Sequence, residues 1–381
     1  MFPVINNIDD VLPHIQGNDN FAVNHKDDYI VIDYILNTPD TFHNEYEKEC
    51  RGILFHADGR IMARRLHKFF NLNERPESSI DNLDFSKNHW ILEKLDGSMI
   101  TPIIVNGRFT WGSKAGETFL TPQIEEFVKH NPWYRVYADL ACALGYTPIF
   151  EWCSRKNRIV IDYPEDRLVQ IAARNKVTGE YVPYFQMKEV AEAYNIEVVK
   201  EYAGTIENMK LLGETVKDMT GIEGFVVRFE DGHMVKVKCA EYVLHHKAKD
   251  DINLEKNVVA ILAEEKADDF RSLLSADDRR RFEAFEKDFW INVNMKADIF
   301  EIQSYTIRKL NISRKDYALH YPAHDSFLRS YIFKHFEDSV QPEWLDGWHY
   351  ILDLIKKNCG SQTNVNKVRQ LFGNINWVDY N

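Results

Sequence analysis

Asp-Gly and Asn-Gly pairs set between short β-branched runs punctuate the first part of the chain, and this pattern favours hairpin-built sheets. Residues 28–70 read as extended, with DDYIVIDYIL and GILFHADGRIMAR as apolar runs and a hairpin signal at Asp58-Gly59. The texture returns at HWILEKLDGSMITPIIVNGRFTWGSKAG, with turns at Asp96-Gly97 and Asn106-Gly107. It recurs at TPIFEWCSRKNRIVIDY, RLVQIAARNKVTGEYVPY and IEGFVVRFEDGHMVKVKCAEYV. Two helical stretches are expected between these, at 121–144 and 186–218. Strands and helices interleave without a βαβ rhythm, so an antiparallel α+β domain is expected rather than a doubly wound sheet.

Strand signals fade from Asn253 onward. Phe282, Phe285, Phe289 and Val293 fall at helical spacing, and Ser275 with Asp278 resembles a capping box. Further helices are expected at 325–336, 342–358 and 363–371, with Trp344 and Trp348 joining the core. The 381 residues suit two domains. We place them at 1–247 and 248–381, the second all-α.

Composition narrows the functional classes. Hydrophobic residues make up 44% and charged residues 28%, as in an ordinary globular chain. No apolar run approaches the ~18–20 residues of a membrane span. The opening MFPVINNIDD has no basic or apolar leader character. A cytoplasmic protein without a membrane partner is expected. The five cysteines are scattered with no CxxC pair, which argues against a disulfide framework or thiolate zinc site. Formal net charge is −12. Residues 249–381 hold 19 Lys and Arg against 22 Asp and Glu. Any polyanion site must therefore be a local cluster.

The sharpest motif is Lys94-Leu95-Asp96-Gly97-Ser98 at a strand-to-turn junction. At roughly 5–7% per residue type, four fixed identities arise by chance about once in a hundred such chains. A hairpin turn with a solvated lysine explains it equally well. The chemical alternative is a nucleophile. A free lysine, with a pKa near ~10.4, is almost wholly protonated at pH 7, so a reactive one needs desolvation or neighbouring cations. Lys236 and Lys238 alternate in MVKVK and so share one strand face, with Val235 and Val237 on the other. Glu151 in IFEW and Glu223 in IEGFVV sit among apolar residues, where a carboxylate must be paired or metal-bound. A paired structural glutamate remains open for either one.

These segments carry a resemblance. KLDGS, SKAG at 113–116, FEW at 150–152, IEGFVV at 222–227 and KVK at 236–238 come in the order of the covalent nucleotidyltransferase superfamily of ATP-dependent ligases and mRNA capping enzymes. Glu49-Cys50-Arg51-Gly52-Ile53-Leu54-Phe55, Lys68-Phe69-Phe70-Asn71-Leu72-Asn73-Glu74 and Arg155-Lys156-Asn157-Arg158-Ile159-Val160 resemble the phage RNA ligase 1 family, the tRNA-repair ligases of T-even phages. The resemblance runs from about residue 30 to 247. It is poor over the first 25 and last 110 residues, and Leu95 stands where a polar residue is frequent.

The resemblance implies an antiparallel-sheet, ATP-grasp-like nucleotidyltransferase domain followed by an all-α C-terminal domain for the RNA substrate. It implies an ATP-dependent RNA ligase that joins 5′-phosphate and 3′-hydroxyl ends through lysyl-AMP and RNA-adenylate, in RNA or tRNA repair. Lys94 takes the nucleophile's position, with Glu223 and Lys238 as catalytic partners. Tyr34, Arg51, Lys68, Lys114, Glu151, Val226, Lys236, Lys238 and Tyr242 take nucleotide-site positions. Glu223 and Asp268 take metal positions, with a solvated helix face as the other reading of Asp268. Arg174 falls at a further motif without an assigned role. ATP and Mg²⁺ (or Mn²⁺) are the implied cofactors. The implied partners are such RNA ends and an upstream end-healing kinase/phosphatase. A monomer is implied, in the host cytoplasm for a phage protein. A DNA ligase or capping enzyme, which normally carries an OB-fold barrel after KVK, is one alternative. A catalytically inactive RNA-end-binding module is another.

Overall fold

The β-branched runs fold into three four-stranded sheets in the computed structural model, antiparallel except at one edge. The structure describes residues 2–38, 41–202, 204, 208–320, 328–329, 332–333, 336 and 347–380. The first sheet has the order β1 (Phe21–His25), β2 (Tyr29–Tyr34), β3 (Arg51–His56), β4 (Ile61–Ala63). Asp58-Gly59 closes its last hairpin, as expected. The second has the order β10 (Arg167–Asn175), β9 (Tyr146–Cys153), β7 (Ser98–Val105), β8 (Arg108–Gly112). Asn106-Gly107 closes the β7–β8 hairpin. The third has the order β5 (Phe70–Asn71), β12 (Met234–Lys238), β11 (Gly224–Phe229), β6 (His89–Lys94), with β5 parallel to β12.

The Asp96-Gly97 turn does not close a hairpin. It carries the chain from β6 in the third sheet to β7 in the second. Gly97 is required there, because a Cβ would lie 2.4 Å from the Trp152 carbonyl oxygen. Lys94, the last residue of β6, is thereby placed where the two sheets meet.

The helices of this part are α1 (Leu12–Ile15), α2 (Glu45–Glu49), α3 (Thr121–His130), α4 (Trp133–Ala143), α5 (Tyr184–Ala193), α6 (Met209–Lys217) and α7 (Ala240–Ile252). The helix expected at 121–144 is two helices. Pro132 lacks the N–H to continue α3 and instead stands at the N-cap position of α4. The helix expected at 186–218 is interrupted by an extended segment. Val199 N–H donates to Gln170 O (2.9 Å) in β10, while Glu93 N–H donates to Lys200 O (2.8 Å) and Tyr202 N–H to Ile91 O (2.8 Å) in β6. That segment stitches the second sheet to the third.

The described residues divide into two compact units, Met1–Val243 and Leu244–Asn381, so the division falls within α7. Every regular element described after α7 is helical, including α8 (Glu255–Ala263), α9 (Ala267–Ser272) and the long α10 (Ala276–Lys309). Ser275 caps α10 by accepting from Asp278 N–H at 3.2 Å. Phe282, Phe285, Phe289 and Val293 are fully buried in the second unit's core, with Trp348 packed against it. The helices expected at 342–358 and 363–371 correspond to Gly347–Lys356 and Gln362–Val368. Trp344 and most of 325–336 lie outside the described residues. Among the described residues no helix is long and apolar enough to cross a membrane.

Candidate active site

The third sheet lays out the expected residues as a grid. Gly224 in β11 stands opposite Lys94 in β6 and Lys238 in β12. Val226 stands opposite Leu92 and Lys236 in the same way. Alternation puts both rows on one face. This face floors a cavity of ≈ 570 Å³, with Met99, Glu151 and Ile171 of the second sheet also in its lining. Gly224 has φ +139, and a Cβ there would lie 2.1 Å from Val237 O, so no side chain separates the two lysines.

Glu223 precedes that glycine. Its Oε1 accepts from Lys94 Nζ at 2.7 Å and Lys238 Nζ at 3.0 Å, with the carboxylate 4% exposed. Six cationic side chains, Arg51, Lys94, Lys114, Arg228, Lys236 and Lys238, line the cavity against two carboxylates, Glu93 and Glu151. A chain of net charge −12 thus concentrates positive charge in one pocket. Burial, then Arg51 and Lys94, push the Lys236 ammonium well below the ordinary lysine range. Burial pushes Glu151 up to about 7, with Lys94 opposing and Glu223 adding to the rise. Arg51 Nη1 is buried without a hydrogen-bond partner. A buried unpartnered guanidinium donor is costly alone and suits an anionic ligand.

Most other sequence-derived residues gather around this cavity. Lys114 Nζ pairs with Asp33 Oδ2 at 2.9 Å and lies 4.1 Å from the centre of the Tyr34 ring. Lys68 lies over three rings, Tyr34, Phe42 and Phe70, at 5.0–5.3 Å. Burial lowers it to about 8. Lys68 lines a second cavity of ≈ 340 Å³, which shares Phe69 and Met234 with the first. Tyr242, on α7, donates from its hydroxyl to Asp96 Oδ1 at 2.7 Å, and its ring centre is 5.0 Å from Lys238 Nζ.

Two further candidates are not in the cavity's lining. Arg174 is fully buried and bonded to Glu49, Arg65 O and Gly179 O, which is a framework role. Asp268 is on the second unit, its side chain 93% exposed and paired with Arg271. Among the described residues no three His, Cys, Asp or Glu side chains gather as a metal site.

Several participants carried no individual sequence signal. Phe69 takes Lys236 at 4.7 Å and Arg51 at 5.7 Å from its ring centre. The motif LysPhePhe pointed to its neighbour Lys68 instead. Asp33 is identified only by its contact with Lys114. Asp96 Oδ2 accepts from Val160 N–H (2.8 Å) and Ile161 N–H (2.7 Å), so the motif's aspartate ties the turn after Lys94 to the loop after β9.

A family model described as RNA ligase matches residues 49–250, which span this whole grid. The chain belongs to the RNA ligase family. This family member is 32% identical over 250 residues to a Thermovibrio ammonificans protein provisionally named RNA ligase, over 63% of this chain and 64% of that one. It is 23% identical over 219 residues to RNA ligase 1 of bacteriophage TS2126, over 55% of this chain and 54% of that one. The chain thus spans somewhat over half the length of these relatives. Among solved structures, an archaeal ATP-dependent RNA ligase aligns with a TM-score of 0.43 and 12% identity, over 94% of this chain and 78% of that one. A Naegleria gruberi RNA ligase aligns with a TM-score of 0.40 and 11% identity, over 49% and 58%.

Proposed function

We propose that this protein is an ATP-dependent RNA ligase that joins 5′-phosphate and 3′-hydroxyl ends through a Lys94–AMP adduct. The observation that carries the reading is the Lys94–Gly224–Lys238 row, with Glu223 beneath it, in a cavity where six cations face two carboxylates. Lys94 Nζ attacks the α-phosphorus of ATP. The N–P bond forms, the bond to pyrophosphate oxygen breaks, and the amine loses its proton. Arg51, Lys236 and Lys238 neutralise the triphosphate charge, and their positioning is most of what in-line displacement requires. Leu92, Val226 and Ile171 supply apolar surface for the adenine. An RNA 5′-phosphate then displaces Lys94 from the adenylate, and a 3′-hydroxyl displaces AMP.

A divalent cation fits the donor set. Hard cations that travel with nucleotide phosphates need only one or two protein carboxylates. Glu151 lines the cavity, and Glu223 would join it once Lys94 and Lys238 turned to the phosphates; a bound Mg²⁺ or Mn²⁺ would neutralise phosphate charge there. The reading assigns adenylyl transfer to the first unit and RNA selection, including any tRNA preference, to the second. It makes the protein a cytoplasmic partner of an end-healing kinase/phosphatase.

A DNA ligase or capping enzyme is disfavoured, since no strand follows Lys238 among the described residues where a five-stranded barrel would stand. Incubation with α-labelled ATP or GTP and Mg²⁺, followed by a denaturing gel, tests the assignment. Label from ATP alone, chased into sealed RNA, is expected. Label from GTP overturns it in favour of capping chemistry, and no label from either in favour of an inactive binding module.

A further inference from the structure

The turn that leads into α3 is fixed on both sides. Glu117 N–H donates to the Tyr29 hydroxyl at 3.0 Å, and Thr118 N–H donates to Thr121 Oγ1 at 3.1 Å. The Thr121 hydroxyl donates to Trp111 O at 2.9 Å. Leu120 and Ile124 anchor the following residues in the core. Between Thr118 and Leu120, Phe119 is 74% exposed, yet it is part of the lining of the Lys94 cavity.

A lone exposed apolar side chain is ordinary on a protein surface. Phe119 is distinguished by where it stands and how it is held. The residues on either side of it are held by those hydrogen bonds and by the core, and its ring is left outside. It stands at the rim of a cationic cavity, on the segment that also supplies Lys114 to the lining. A flat apolar group that carries phosphate is the chemistry such a rim suits. The adenine already has the inner rows of Leu92, Val226 and Ile171, which leaves the rim for the second substrate.

We infer that Phe119 is a stacking platform for the unpaired nucleobase at an RNA end entering the site. This rests on the RNA ligase reading above. Aromatic stacking is tolerant of base identity, because every base has a π-face, and it holds a strand whose phosphates are gripped separately. Either end could supply the base: the 5′-phosphate strand during transfer of AMP, or the 3′-hydroxyl strand during sealing.

The test uses full-length wild type, Phe119→Ala and Phe119→Trp. Three reactions are followed: lysyl-AMP formation, AMP transfer to a 3′-blocked 5′-phosphorylated oligoribonucleotide, and sealing of a pre-adenylated donor to a 3′-hydroxyl strand. Phe119→Ala should lower kcat/KM for RNA about tenfold, through KM, in one RNA step. The KM for ATP should stay within about twofold, and Phe119→Trp should restore the RNA step. An abasic terminal nucleotide should slow wild type to the Phe119→Ala rate. A loss in AMP transfer identifies the 5′ end's base, and a loss in sealing identifies the 3′ end's base. Sealing wild type with an unaltered Phe119→Ala, or indifference of wild type to the abasic end, overturns the inference alone. A wild type that forms lysyl-AMP but seals no RNA overturns the functional reading and this inference with it.

Discussion

Lys94 and Lys238 donate to the same oxygen of Glu223, at 2.7 and 3.0 Å, from strands on either side of Gly224. The carboxylate is the counter-charge that lets two ammonium groups share one end of a strand row. An ammonium bonded this way is not a nucleophile until its proton leaves. On the proposed function, the oxygens of a triphosphate would supply a competing acceptor for both lysines.

Lys94→Ala should abolish protein adenylylation yet still seal RNA that already carries a 5′-adenylate, because the last displacement does not need the amine. Lys94→Arg should also fail in the first step, since a guanidinium stays protonated. The check is labelled-ATP transfer alongside sealing of a pre-adenylated oligomer. A folded Lys94→Ala protein that cannot seal the pre-adenylated strand would count against this division of labour.

Glu151 links the site to pH. Its carboxyl ionises near 7 in the folded protein against an ordinary 4.5, chiefly through burial. Between those values the folded state holds a proton that the unfolded state has released. Glu151 therefore subtracts stability as pH rises from about 4.5 to about 7, on the order of 3 kcal/mol once complete. Glu151→Gln should melt progressively higher than wild type as pH goes from 5 to 8. Melting curves that stay parallel across this range would refute the assignment.

Asp96 and Tyr242 form a coupled pair. The tyrosine hydroxyl donates to a carboxylate that also accepts two backbone N–H groups, and hydrogen bonds to charged groups contribute roughly 1.5–3 kcal/mol. Tyr242→Phe should lower sealing, and Asp96→Asn should lower it further by also loosening Val160 and Ile161. A double-mutant cycle should show clear non-additivity, at least ~0.5 kcal/mol. Additive losses would separate the two residues.

The parts of the site readable in the sequence were those with local periodicity. Lys236 and Lys238 share a face because a strand alternates, and Lys94 ends a strand because Asp96-Gly97 follows it. What Asp96-Gly97 connects was not readable. The same dipeptide closes a hairpin at Asp58-Gly59 and crosses between sheets at Asp96-Gly97, and only long-range strand pairing distinguishes the two. Asp33 finds Lys114, and Phe69 finds Arg51 and Lys236, through tertiary packing with no spacing rule. The helix expected at 186–218 failed for a similar reason. The residues around Val199 and Lys200 bond to β10 and β6, and those edge bonds outweigh local helical preference.

Every residue assigned to the nucleotide site, Asp268 apart, lies in the first unit. A truncation after Ile252, which keeps α7 whole, should still form lysyl-AMP and seal simple single-stranded RNA. If the second unit selects RNA, the truncated protein should lose preference for a broken tRNA over an unstructured oligomer. The ratio of the two sealing rates, with and without the second unit, decides it. An unchanged ratio would remove the selecting role. A folded truncation unable to adenylylate would make Asp268 the first residue to test.

Glu49 shows how the frame behind the site responds to acid. Both its oxygens are held by Arg174, at 2.7 Å each, and by Arg64, at 2.9 and 3.0 Å, and all three side chains are buried. Burial pushes the carboxyl up, but Arg174 and then Arg64 outweigh it and hold it at about 2 against an ordinary 4.5. The folded value is depressed, so the stabilisation is complete above about 4.5 and is lost as pH falls towards 2, on the order of 3 kcal/mol. Removing the charge outright is costlier, because it strands two buried guanidinium groups. Glu49→Gln should therefore lose roughly 3–5 kcal/mol at pH 7. Arg64 also holds Pro3 O and Val177 O, and Arg174 holds Gly179 O and Arg65 O, so the loss should spread through the N-terminal segment and the β10 edge. Chemical denaturation of wild type and Glu49→Gln from pH 7 to pH 3 measures both effects. The gap between them should be widest at pH 7 and shrink below about 4.5, and a gap independent of pH would show that Glu49 does not titrate with the fold.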